Sequence, residues 1–170
     1  GAARRREVGG SAYYRRLLTE HEGEENKSTH VIDLDLPRTF PGNIHTCSPE
    51  GLAKLRRVLV AFAFHNPQIG YCQSLNYIAA MLLLVVDDEE KAFWVLVVLM
   101  EDILYKNSHS MDLMGCLVEQ RVLKQILDKK LPKLSQHLDE LQCDMSLLAT
   151  EWLLTVYIKS MPSETAARVL

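Results

Sequence analysis

An all-helical array is predicted from three observations. Apolar residues recur three and four positions apart along most of the chain, cap signatures stand where those patterns begin, and prolines and glycines fall where they end. With 170 residues, of which 48% are hydrophobic, the chain can bury a core as one domain or two closely packed lobes. No sheet of more than two short strands is expected.

Gly1 to Gly10 reads as a mobile end. Ser11 to Leu18 can form a short helix with Tyr13, Tyr14, Leu17 and Leu18 on its inner side. His21 to His30 is polar, carries Gly23 and Asn26, and reads as a connecting loop. Val31 to Pro41 alternates apolar and polar residues as far as Pro37, but prolines on both sides of Arg38 favour a rigid, extended loop over a strand. Ser48-Pro49-Glu50 is a helix start, with a serine cap, proline in the first turn and an acid near the positive end of the dipole. That helix should run to about His65, with Leu52, Leu55, Leu59 and Phe62 as its buried stripe.

Asn66-Pro67 stops it, because the residue before proline is pushed out of the helical region. Gly70 allows a sharp turn. From Tyr71 a new helix can begin, with Leu75, Ile78, Ala79, Leu82 and Val86 on one face and Gln73, Asn76 and Tyr77 near its start. Being apolar on nearly every side, it is expected to be the central element. Asp87 and Glu90 resemble a capping box for a helix reaching Leu104, although Val95, Val97 and Val98 would also suit a buried strand. Further helices are predicted over Met111 to Leu127, Leu131 to Leu141 and Ser146 to Ile158, and from Ser163 to the last residue. A helix still running at Leu170 is read as the mark of a shortened domain.

Composition narrows the function classes. Net charge is −3 with both signs interspersed, so no basic field invites nucleic acid, and Arg4-Arg5-Arg6 reads as a solvated end. The apolar runs Ile78 to Val86 and Phe93 to Met100 are each too short to span a bilayer. No apolar signal-peptide core follows the N-terminal arginines, which points to a protein that stays inside the cell. Cys47, Cys72, Cys116 and Cys143 show neither a Cys-x-x-Cys pair nor histidine at ligand spacing, so they read as free thiols and no metal site is expected. A nucleophilic pair of Cys72 with His65 is disfavoured, since a thiol in an apolar helix is usually a small core residue.

Two polar side chains stand out. Gln73 sits where an apolar helix surfaces, beside orphan amides that suit a phosphate-like partner, or else it satisfies backbone groups at the helix start. Arg38 is fixed between prolines, or else it is a surface arginine paired with Asp35.

Taken together, Ile32-x-x-Asp35-x-x-Arg38-Thr39 and Tyr71-Cys72-Gln73 resemble the arginine-finger and glutamine-finger motifs of the TBC domain, the helical family of GTPase-activating proteins for Rab-type GTPases. Leu55-Arg56-Arg57-Val58-Leu59, Asn66-Pro67-x-x-Gly70-Tyr71, Ala92-Phe93-Trp94 and Trp152-Leu153-Leu154-Thr155 are similar to family blocks in the same order. The likeness runs from about Tyr13 to Leu170. It implies a partial TBC domain over residues 11 to 170 that accelerates GTP hydrolysis by a Rab in its GTP state. Arg38 and Gln73 would be supplied in trans, and no independent hydrolase activity is implied.

Arginine offers charge and a bidentate fork to the phosphate, and a carboxamide can orient the water while it contacts the phosphate. Asp35 would hold the Arg38 loop beside Thr39, and Tyr71 and Asn76 would support Gln73 or touch the partner. No cofactor of its own is implied, because GTP and magnesium arrive with the GTPase. The resemblance also implies a role in vesicle trafficking, in the cytoplasm or peripherally on endomembranes through the partner. The alternatives are a non-catalytic Rab-binding or scaffold module, and a helical interaction domain unrelated to GTPases. Gly1 to Gly10 does not match the family's upstream segment, the family continues beyond the position of Leu170, and Ser74 stands where many relatives carry glycine.

Overall fold

In the computed structural model, which describes residues 2, 3, 5, 10 and 12 to 170, the described residues contain helices and no strand. The expected mobile end at Gly1 to Gly10 lies mostly outside those residues. The chain divides into two units, Gly1–Leu104 and Tyr105–Leu170.

The first unit begins with α1 (Tyr13–Glu20), which buries Tyr14 and Leu17. Next comes α2 (Lys27–Asp35), where the sequence reading placed loop and extended chain. Two forces explain the correction. Asn26 and Thr29 form a reciprocal capping box that pays the entry cost of the helix, and Thr29, Ile32 and Asp35 are buried at three-residue intervals. Leu34, which alternation would have buried, is 59% exposed. A short 3-10 turn, Leu36–Arg38, follows and holds Pro37 in its first positions, where a missing amide is harmless. Thr39 is then extended, and Phe40 takes a positive φ of 45°.

After the one-turn α3 (Ile44–Cys47), α4 (Pro49–His65) starts as its sequence implies, with Ser48 accepting a bond from the Gly51 amide. α5 (Leu75–Val86) begins four residues later than expected. Of its predicted inner face, Leu75, Ile78, Ala79 and Leu82 are buried. The hub of the unit, however, is α4, which packs on α1, α2, α3, α5 and α6 (Glu89–Val98). Its buried residues include Leu55, Val58, Leu59, Ala61 and Phe62, a band too wide for one neighbour, whereas the last turns of α5 surface at Val85.

Asp87 does not cap α6. It closes α5 with a left-handed φ of 49°, and Asp88 provides the cap by accepting from the Lys91 amide. The strand alternative for Val95 to Val98 is overturned by the helix. A π-turn, Leu99–Ile103, extends α6, with the Leu104 amide bonded to the Leu99 carbonyl at 2.9 Å. Its Glu101 accepts from Asn66 Nδ2 at 2.9 Å and pairs with Arg5, which also holds Asp102.

In the second unit, α7 (Met114–Lys130), α8 (Pro132–Glu140), α9 (Met145–Leu154) and α10 (Ser163–Val169) match the predicted helices within a few residues at most ends. α9 stops earlier than expected, because Val156 and Tyr157 take φ of 50° and 62° and leave the right-handed region. Gln120 of α7 donates to Thr150 of α9 at 3.0 Å, and Lys124 of α7 bonds Asp139 of α8 at 3.0 Å. Met114, Val118, Val122 and Ile126 are exposed along one ridge of α7. No helix among the described residues is long and apolar enough to cross a membrane.

Candidate functional site

The last residue of α2 is the anchor of the site. Asp35 is fully buried, and a carboxylate taken out of water must find partners to stay charged. It has two. Oδ1 accepts from the Arg38 guanidinium, one 3-10 turn away, and Oδ2 accepts from the Tyr71 hydroxyl at 2.6 Å. Burial, reinforced by the adjacent Asp35 carboxylate, raises the Tyr71 pKa far above the ordinary phenol value, so the ring is a steady donor. Residues thirty-six positions apart are thereby tied through one side chain.

Thr39 supplies a second tie. Also fully buried, its hydroxyl donates to the Asp35 carbonyl at 2.8 Å and accepts from Asn76 Nδ2 at 2.7 Å. Asn76 is 1% exposed, so its position is that of a brace on the Arg38 segment, not of a surface contact. Its Oδ1 has no hydrogen-bond partner. Tyr77, which the sequence placed near the helix start without a role, donates to the Arg38 carbonyl at 3.5 Å and meets the Phe40 ring edge-on at 5.6 Å. Phe40 had no signal in the sequence beyond its place between the two prolines.

Arg38 itself faces outward, with 56% of its side chain exposed. Gln73 is also exposed and lies in the turn before α5, not within its first turn. The amides at this helix start are largely taken: Leu75 bonds the Cys72 carbonyl at 3.0 Å and Tyr77 the Ser74 carbonyl at 3.0 Å. The expected cluster of orphan amides is reduced accordingly.

The corner that carries Gln73 is built from Asn66. Its Oδ1 accepts from the Ile69 amide at 3.2 Å, its carbonyl accepts from Gly70 at 2.8 Å, and Gly70 adopts φ 58°, where a side chain would be strained. Ser74 is the other tight point, with φ 151° and a buried side chain. The conformation is one that glycine takes freely and a residue with a Cβ adopts only at a cost.

His65 is engaged away from Cys72. Nδ1 meets the Tyr13 hydroxyl at 2.9 Å and Nε2 lies 3.4 Å from Glu101. None of the four cysteines forms a disulfide.

The family model of the Rab-GTPase-TBC domain matches residues 11 to 170. The chain is 44% identical over 161 residues to TBC1 domain family member 2A of Rattus norvegicus, covering 94% of this chain and 17% of that protein. It is 37% identical over 159 residues to TBC1 domain family member 2B of Homo sapiens, covering 92% of this chain and 16% of that protein. It therefore spans about a sixth of the curated relatives it matches. The crystal structure of the Chlamydomonas flagellar RabGAP TBC domain superposes with a TM-score of 0.88 at 37% identity, over 99% of this chain and 55% of that one. The Ypt/Rab-GAP domain of Gyp1p shares the fold, with a TM-score of 0.79 at 20% identity, over 98% of this chain and 60% of that one. With a family model matching nearly its whole length and relatives well above 30% identity, the chain belongs to the Rab-GTPase-TBC domain family.

Proposed function

We propose that this chain is the part of a Rab GTPase-activating protein that carries both fingers, Arg38 for charge and Gln73 for the attacking water. The observation that carries the reading is the shared Asp35 carboxylate: Arg38 holds one oxygen and Tyr71, two residues before Gln73, holds the other. Two exposed side chains of complementary chemistry are thus set on braced segments that meet at one buried charge. GTP hydrolysis asks for that combination, since the transition state needs an oriented water and positive charge on the phosphate oxygens while little covalent chemistry falls to the protein.

For Arg38 to reach a phosphate, its guanidinium leaves Asp35 or shares it. Because Asp35 is fully buried, giving up that partner altogether is costly, so sharing is the favoured course, with Tyr71 continuing to satisfy the other oxygen. Gln73 has no such exchange to make at the helix start. GTP and its magnesium come with the Rab, so the protein contributes positioning and electrostatics.

The test is single-turnover phosphate release from a panel of GTP-loaded Rab proteins, measured beside binding to the same proteins. Acceleration of at least one Rab is expected. Binding to GTP-state Rabs without acceleration of any would replace this reading with a non-catalytic Rab-binding module.

A further inference from the structure

Gln73 is exposed, so its direction is set less by packing than by the backbone beneath it. One end of that backbone is held by Tyr71 on Asp35. The other end is Asn66, whose side chain is bonded to a residue outside both finger motifs.

Asn66 closes α4 with its own amide on the Phe62 carbonyl and then shapes the turn through two acceptors. Its carbonyl accepts from the Ile69 and Gly70 amides at 3.2 and 2.8 Å, and its Oδ1 accepts from Ile69 at 3.2 Å. Only one orientation of the carboxamide allows this, because the reverse would set its NH2 group against the Ile69 N–H. Glu101 selects that orientation. Its Oε1 accepts from Asn66 Nδ2 at 2.9 Å and lies 3.4 Å from Nε2 of His65, while its Oε2 is held by Arg5. A carboxylate only accepts, so it demands the NH2 group of Asn66 and leaves Oδ1 for Ile69. Pro67 and Gln68 are exposed and Gly70 has no side chain to pack, so the hydrogen bonds at Asn66 carry the shape of the turn.

We propose that Glu101 is a positioning residue for Gln73, acting through Asn66 to fix the corner that carries the glutamine. Its effect on catalysis rests on the reading of Gln73 as a finger, and its effect on the corner does not. An ion pair that merely tied the end of α6 to Arg5 would alter stability alone. A positioning residue alters turnover and leaves Rab affinity in place.

The test joins amide exchange of this chain to Rab-stimulated phosphate release, read as kcat and KM. Glu101→Ala should speed exchange at Ile69 and Gly70 roughly tenfold or more, with the core amides of Leu59 and Val97 unchanged. In the Rab assay kcat should fall by a similar factor while KM holds. Glu101→Gln, whose side-chain carbonyl still accepts, should keep most of both. Asn66→Asp sets two carboxylates against each other and should open the corner. Adding Glu101→Gln to it restores the bond with donor and acceptor exchanged, and exchange should slow again. Both of those changes keep side-chain shape, so the pair decides the matter even where Glu101→Ala does not fold. Unchanged exchange in Glu101→Ala, or exchange no slower in the paired variant than in Asn66→Asp alone, would overturn the proposal. So would a faster corner with kcat intact in a chain that is active on a Rab. A faster corner in a chain that accelerates no Rab would instead retire the finger reading and leave Glu101 as the residue that fixes the turn.

Discussion

Tyr71 places its hydroxyl 2.6 Å from Asp35, on the carboxylate oxygen opposite to the one that Arg38 holds. The bond joins the segment before Gln73 to the segment of Arg38, and it does so inside the protein. Tyr71→Phe removes the donor and leaves the ring. A hydrogen bond to a buried charge is worth about 1.5–3 kcal/mol, and a fall of that size in urea-unfolding free energy is expected. If the finger reading is right, Rab-stimulated phosphate release also drops although Arg38 and Gln73 are intact. Unchanged unfolding in Tyr71→Phe would remove the bond from the account.

Arg38 and Gln73 are expected to act on one transition state. Arg38→Lys keeps charge and loses the planar fork, so it should depress turnover far more than Rab binding. Arg38→Ala should cost roughly a thousandfold or more, about 4 kcal/mol of barrier, and Gln73→Ala should be severe as well. The losses in a double-mutant cycle should fall well short of adding, because neither residue helps much once the other is gone. Near wild-type turnover in either single variant would take that residue out of the mechanism.

Ser74 is held at φ 151° with its side chain buried. Such backbone costs a residue with a Cβ about 1–3 kcal/mol, partly offset in glycine by its greater loss of freedom on folding. Ser74→Gly is therefore expected to raise stability by about 1 kcal/mol, read as a higher urea midpoint with an unchanged slope. A lower midpoint would show that packing of the serine outweighs the strain.

Acid should weaken the fold through two histidines. Burial lowers the pKa of His65, opposed by Glu101, and lowers that of His109, opposed by the bond of its Nε2 to the Leu154 carbonyl at 2.9 Å. With folded values below the unfolded one of about 6.5, the unfolded chain takes up protons first, so stability is complete above that pH and declines as pH falls toward the folded values. Urea midpoints should drop between pH 7 and pH 5. The drop should shrink in His65→Gln, and its persistence at full size in both His65→Gln and His109→Gln would assign it to other groups.

The sequence showed the helical class because capped, three-and-four-spaced apolar stripes need nothing beyond local chemistry and burial. It missed α2, since Val31 to Leu36 satisfies a strand period and a helix period at once, and only the Asn26 and Thr29 box, read as loop residues, decides between them. It misjudged the hub, because all-round apolarity in α5 describes composition while the number of neighbours around α4 depends on topology. Within the candidate site, likeness to motifs singled out Asp35, Arg38, Thr39 and Tyr71 as expectations, while Asn76 was expected to support Gln73 or touch the partner and instead bonds Thr39. What likeness could not convey is their wiring: that Tyr71 and Arg38 share a carboxylate, that Asn76 braces Thr39, and that Tyr77 reaches the Arg38 backbone. Those are long-range hydrogen bonds with no periodic trace.

The π-turn at Leu99–Ile103 makes that helix end a place where chain length matters more than chain composition. Its single turn closes through the bond from Leu104 to Leu99, five residues back instead of four, and within it Glu101 accepts from Asn66, the residue that shapes the corner before Gln73. Losing one residue there would restore the α repeat and rotate Glu101 by roughly 100° about the axis. Point substitutions in this turn that keep its length should therefore be milder than a single-residue deletion, which amide exchange at Ile69 and Gly70 would report as faster opening of the corner. A place near a helix terminus, where insertions and deletions are commonly absorbed, is here the one that sets the phase of a distant turn.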